Sequence, residues 1–82
     1  MISNLKELLK SEKKEKEEFL NNLKKNDYLR DGVKMLKFVE CLEDIFWKNS
    51  HYDYKFIRND GKVVILRFHN HTQKGVIDLN II

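Results

Sequence analysis

The sequence predicts a single α+β domain over residues 1–82, with helices at about 3–25 and 31–48 and then a three-stranded antiparallel β-meander at about 51–58, 62–69 and 75–81. Three observations carry that expectation. Residues 52–68 alternate apolar and polar side chains on either side of Asn59-Asp60-Gly61, the pattern of a β-hairpin. Upstream, apolar residues recur at three- and four-residue spacing, as on one face of a helix. The chain has no proline and three glycines, at 32, 61 and 75, each of which suits a cap or a turn.

The first helix starts at Ser3 or Asn4 as N-cap, with Glu7 placed for a capping box, and no glycine or proline interrupts it before Asn26. Leu5, Leu8 and Leu9 form one apolar cluster and Phe19, Leu20 and Leu23 a second. Glu12 and Lys16 occupy the seam between them, which predicts a solvated middle supported by i,i+4 pairs such as Glu12 with Lys16. Such a helix grips its domain at two ends, or offers Leu5, Leu8 and Leu9 to another chain.

Asp31-Gly32 reads as the N-cap of a second helix, in which Met35, Leu36, Val39, Leu42, Ile45 and Phe46 keep helical spacing. That stripe is expected to lie across the aromatic face of the hairpin. Phe38, Cys41 and Trp47 widen it, so a second surface must cover the remainder.

The turn decides the register of the hairpin, because slipping by one residue exchanges the faces of a strand. A two-residue turn at Asp60-Gly61 would place Tyr52, Tyr54 and Phe56 on one face with Arg67 and His69. A type I turn at Asn59-Asp60 with Gly61 in a G1 bulge instead sets Phe56 against Val64, Tyr54 against Leu66 and Tyr52 against Phe68. The second arrangement makes one face wholly apolar or aromatic, and it is the one expected. The opposite face then carries Asp53, Lys55, Ile57, Val63, Ile65, Arg67, Val76 and Asp78. Four aliphatics there call either for a covering helix or for a partner.

Composition narrows the function classes. The net charge is +3 in a chain that is 35% charged, and the excess is spread along its length, unlike the concentrated basic face of a dedicated nucleic-acid binder. One cysteine, Cys41, rules out an internal disulfide and suits a reducing compartment. No apolar run reaches the roughly 18 residues of a membrane span. The expected setting is therefore cytoplasmic, with no membrane contact. Absent proline and abundant Lys, Asn and Ile match the codon bias of an AT-rich genome.

The chemistry-bearing residues form no motif. His69-Asn70-His71 supplies two imidazoles, but two ligands do not make a metal site, and no CxxC or HExxH accompanies them. No glycine-rich phosphate loop is present. Cys41 reads as a buried structural thiol, and the carboxylate pairs Glu17-Glu18 and Glu43-Asp44 as solvated helix surface. No cofactor, no metal and no catalytic constellation are expected. The sequence is thus expected to encode a small non-enzymatic protein-binding module, a homodimer, of the kind a phage or mobile element uses to inhibit a host enzyme or defence complex by occluding its surface. Its contact residues would be Leu5, Leu8, Leu9, Trp47, Ile57, Val63, Ile65 and Arg67. The alternative is a nucleic-acid-binding protein using Lys55, Arg58, Lys62, Arg67, His69 and Lys74.

Overall fold

A computed structural model describes residues 2–42 and 50–82. The described residues run through two short helices, α1 (Leu5–Lys10) and α2 (Lys13–Asn21), and then five strands: β1 (Tyr28–Asp31), β2 (Lys34–Leu42), β3 (Tyr52–Arg58), β4 (Val63–His69) and β5 (Val76–Ile81). The strands form one sheet in the order β1-β2-β3-β4-β5, and every neighbouring pair is antiparallel. This corrects the expected architecture, since the sheet has five strands where three were expected.

The second helix expected at 31–48 does not form within the described residues. Tyr28 to Leu42 is a hairpin, in which Leu29 opposes Leu36 and Asp31 opposes Lys34. Gly32 turns it with a φ of +63, and Val33 follows at a negative φ. Glycine at the first central position makes this a type II′ turn, so Asp31-Gly32 ends a strand instead of capping a helix. Of the residues placed on that helix, Ile45, Phe46 and Trp47 lie outside the described residues. Leu36 and Phe38 are buried, as the helix reading required, but they are buried from a strand.

The first helix breaks at Ser11 and Glu12, whose backbones are extended, with ψ of 160 and 156. Leu8 and Leu20 would lie about 120° apart on a continuous helix, because each residue turns it by about 100°. The break lets both segments bury their apolar side against the same sheet: Leu5 and Leu8 from α1 and Leu20 from α2 join the core. Asn4 caps α1 as expected, its side-chain oxygen accepting the N–H of Glu7 at 2.8 Å. Ser11 closes the segment by donating its hydroxyl to the Glu7 carbonyl at 2.7 Å.

The β3–β4 hairpin has the expected register, with Tyr52 opposite Phe68, Tyr54 opposite Leu66 and Phe56 opposite Val64. Gly61 sits at φ +90 and donates its N–H to the Arg58 carbonyl, while Arg58 donates to Lys62. The aromatic face is the core floor. Phe56, Leu66 and Phe68 are buried there, with Phe38 packed edge-on against Phe56 at a ring separation of 5.4 Å. The lid over it is α1 and α2, not the helix expected at 31–48.

Candidate protein-binding surface

Because both helices pack on the inner face, the sheet's outer face has no layer over it among the described elements. Strand register sets its side chains in rows. Lys37, Ile57 and Val63 form one, and Glu40, Lys55, Ile65 and Asn80 the next. Leu42, Asp53, Arg67 and Asp78 follow, with His69 and Val76 at the end. The first two rows hold the aliphatics: Ile57 is 38% exposed, with Val63 and Ile65 half-buried beside it, while Val76, 44% exposed, lies beyond the Asp53–Arg67–Asp78 row. The Gly61 bulge fixes the parity of β4 against β3, and a bulge in β2 between Phe38 and Glu40 brings Glu40 and Leu42 to the same face.

The far end of the outer face is a polar network. Arg67 donates twice to Asp53, at 2.9 and 3.1 Å, which raises the guanidinium's already high pKa. His69 Nε2 lies 2.7 Å from the Asp78 carboxylate, and His51 Nε2 lies 3.9 Å from Asp53. His71 Nδ1 lies 2.7 Å from the Ser50 carbonyl oxygen, which can only accept, so that nitrogen carries the proton. The His69 ring centroid is 6.0 Å from that of His51 and 5.8 Å from that of His71. Even so, among the described residues no three His, Cys, Asp or Glu side chains are placed to hold a metal ion. Ser50 Oγ lies 3.3 Å from Nδ1 of its neighbour His51, and the remaining contacts are carboxylate contacts of Arg67, His69 and His51 and the backbone contact of His71. The network therefore forms a charged rim to the aliphatic patch.

The structure distributes the expected contact residues unevenly. Leu5 and Leu8 are 3% and 0% exposed, covered by the chain's own core, so they are not available to a partner. Leu9 is exposed, and Trp47 lies outside the described residues. Ile57, Val63, Ile65 and Arg67 share the outer face as expected.

The residues of the nucleic-acid alternative are scattered. Arg58 is buried on the inner face and donates twice to Asp60, at 2.8 and 2.6 Å. These bonds hold the Asp60 carboxyl well below the usual carboxylate range. Arg67 and His69 are engaged by carboxylates, whereas Lys55 is half-buried on the outer face and Lys62 and Lys74 are exposed in turns. Tyr54 is buried and Tyr52 packs against the core, so neither forms a stacking platform on the outer face. Cys41, expected to be buried, is exposed, because it lies near the end of β2 beyond a bulge.

Two features carry no signal in the sequence as read. Lys16, assigned to a solvated seam, is 5% exposed and donates to the Lys74 and Gly75 carbonyls at 3.1 and 3.0 Å. Burial lowers its pKa. Lys13 likewise reaches the Asn70 carbonyl at 2.7 Å, so both lysines serve the β4–β5 loop and not neighbouring glutamates. The other feature is β5, whose Val76, Leu79 and Ile81 are 44%, 40% and 53% exposed, with Ile82 beyond it at 76%. Alternation alone predicts inward-facing Leu79 and Ile81, but it cannot show that the helices stop short of them.

Comparison with known proteins finds no matching family, no matching curated protein and no matching solved structure. No helix among the described residues is long and apolar enough to cross a membrane.

Proposed function

We propose that the chain acts by binding another protein on the outer face of its sheet and occluding the surface it covers, as a small inhibitor does. One observation carries this reading: both helices lie on one face, leaving Ile57, Val63 and Ile65 as an aliphatic patch on the other, bordered by the charged row of Asp53, Arg67 and Asp78. The Arg67–Asp53 ion pair and the His69–Asp78 contact are already formed, so a partner need not satisfy isolated carboxylates there. Nucleic-acid binding is disfavoured for the same reason, since Arg58, Arg67 and His69 already contact carboxylates.

Affinity capture from a lysate tests the reading, with the wild-type chain compared to the double variant Ile57→Asp/Ile65→Asp. A protein retained by the wild type and lost by the variant, with circular dichroism unchanged, is the expected outcome. Equal recovery by both chains would sink the outer-face assignment. Submicromolar binding to single-stranded RNA that weakens steeply with salt would move the function to nucleic acid.

A further inference from the structure

Strand β5 has β4 on one side and no strand of the described sheet on the other. In an antiparallel ladder, successive residues direct their backbone N–H and C=O groups to opposite sides. Ile82 donates its N–H to the Val63 carbonyl at 2.9 Å, so Asn80, Asp78 and Val76 turn their main chains toward β4 as well. Ile77, Leu79 and Ile81 turn theirs to the open edge. The same three residues point their side chains to the inner face, where Leu79 and Ile81 remain substantially exposed. This edge thus combines unpaired backbone groups with uncovered aliphatic side chains, the combination that takes up another strand.

We infer that the strand it takes up is β5 of a second copy, paired antiparallel about a two-fold axis at Leu79. The inference goes beyond the outer-face reading, because the edge is a different surface. A two-fold axis normal to the sheet keeps inner faces together, so the pairing must centre on a residue and not between two. Centring on Asp78 sets two carboxylates directly opposite each other, which is repulsive. Centring on Asn80 sets Asp78 against the aliphatic Ile82 of the partner subunit. Centring on Leu79 avoids both: Leu79 meets the partner's Leu79, Ile77 meets the partner's Ile81, and Asp78 meets the partner's Asn80, whose amide can donate to it. On the outer face the exposed Val76 meets the partner's Ile82.

This register also uses every edge-facing residue of the strand. Ile77, Leu79 and Ile81 become hydrogen-bonded pairs with their counterparts, contributing about six backbone bonds across the axis. A generic partner strand would need no such internal symmetry. Here apolar residues flank Leu79 at equal spacing on both sides, and the acid on one side finds an amide on the other. The result is one continuous sheet made from both copies, with the aliphatic outer patches on the same side.

The test uses the full chain carrying Cys41→Ser, with a single cysteine reintroduced at Leu79, Asp78 or Asn80. Hydrogen-bonded antiparallel partners have Cα atoms about 5.5 Å apart, within disulfide reach. Mild oxidation is expected to give a covalent dimer in good yield with Leu79→Cys and at least ten-fold less with Asp78→Cys or Asn80→Cys. Light scattering on the unmodified chain is expected to show mass rising toward a dimer by about 100 µM, and Leu79→Lys is expected to weaken association at least ten-fold. A monomer at every concentration overturns the proposal and leaves the outer-face capture result untouched. Strongest crosslinking at Asp78→Cys or Asn80→Cys, or a dimer unaffected by Leu79→Lys, overturns it equally.

Discussion

Phe56 and Ile57 are adjacent in sequence and sit on opposite faces of the same strand. Phe56 is fully buried beneath the helices, whereas Ile57 is 38% exposed on the face that no described element covers. The comparison separates what holds this protein together from what it can offer. Stability is concentrated on the inner face, and the outer face can be altered at little cost to it.

That contrast can be broken most forcefully from the core side. Phe56→Ala should destabilise the fold by about 3–5 kcal/mol, read from the midpoint of urea unfolding, because it removes a large side chain from a closed core. A loss under about 1 kcal/mol would mean the core does not depend on the aromatic floor. Gly75→Ala should follow at about 2–4 kcal/mol, combining left-handed backbone strain with overpacking. Its new Cβ would lie 2.8 Å from Phe68 Cε1 and 2.9 Å from Lys13 Cγ. Gly61→Ala, also at positive φ but facing open space, should cost only the backbone part, about 1–2 kcal/mol.

Smaller effects sharpen the comparison. Asp60 has its carboxyl held well below the usual range by Arg58, so this interaction stabilises the fold above about pH 4 and is lost as pH falls further. Asp60→Asn should therefore lower stability at pH 7 and narrow the gap between unfolding midpoints at pH 7 and pH 3. An unchanged gap would refute the assignment. The least effect is expected from Ile57→Thr, under about 1 kcal/mol in the same assay.

The legible part of the fold was the part where local and long-range signals coincide. At Asn59-Asp60-Gly61 the turn chemistry and the strand alternation agree, and the structure has that register. Between Lys34 and Leu42 they do not agree. Phe38 opposes Phe56 and Glu40 opposes Lys55, so Val39 is an extra residue that reverses the alternation midway through the strand. A bulged strand with Leu36, Val39 and Leu42 at three-residue intervals mimics helical spacing, and Asp31-Gly32 reinforces that reading. The outer-face residues Ile57, Val63, Ile65 and Arg67 could be grouped from sequence because they depend only on the hairpin. Burial of Leu5 and Leu8 is one of the two readings the first helix allows, whereas burial of Lys16 follows from a helix break that brings two segments onto one sheet.

Lys13 and Lys16 tie α2 to the carbonyls of Asn70, Lys74 and Gly75, across 57 to 59 residues of sequence. These bonds join the first part of the chain to the loop that launches β5. Opening α2 should therefore release that loop as well, and the two segments should exchange their amide hydrogens as one cooperative unit. The edge strand is thereby supported by a helix that precedes it by more than fifty residues.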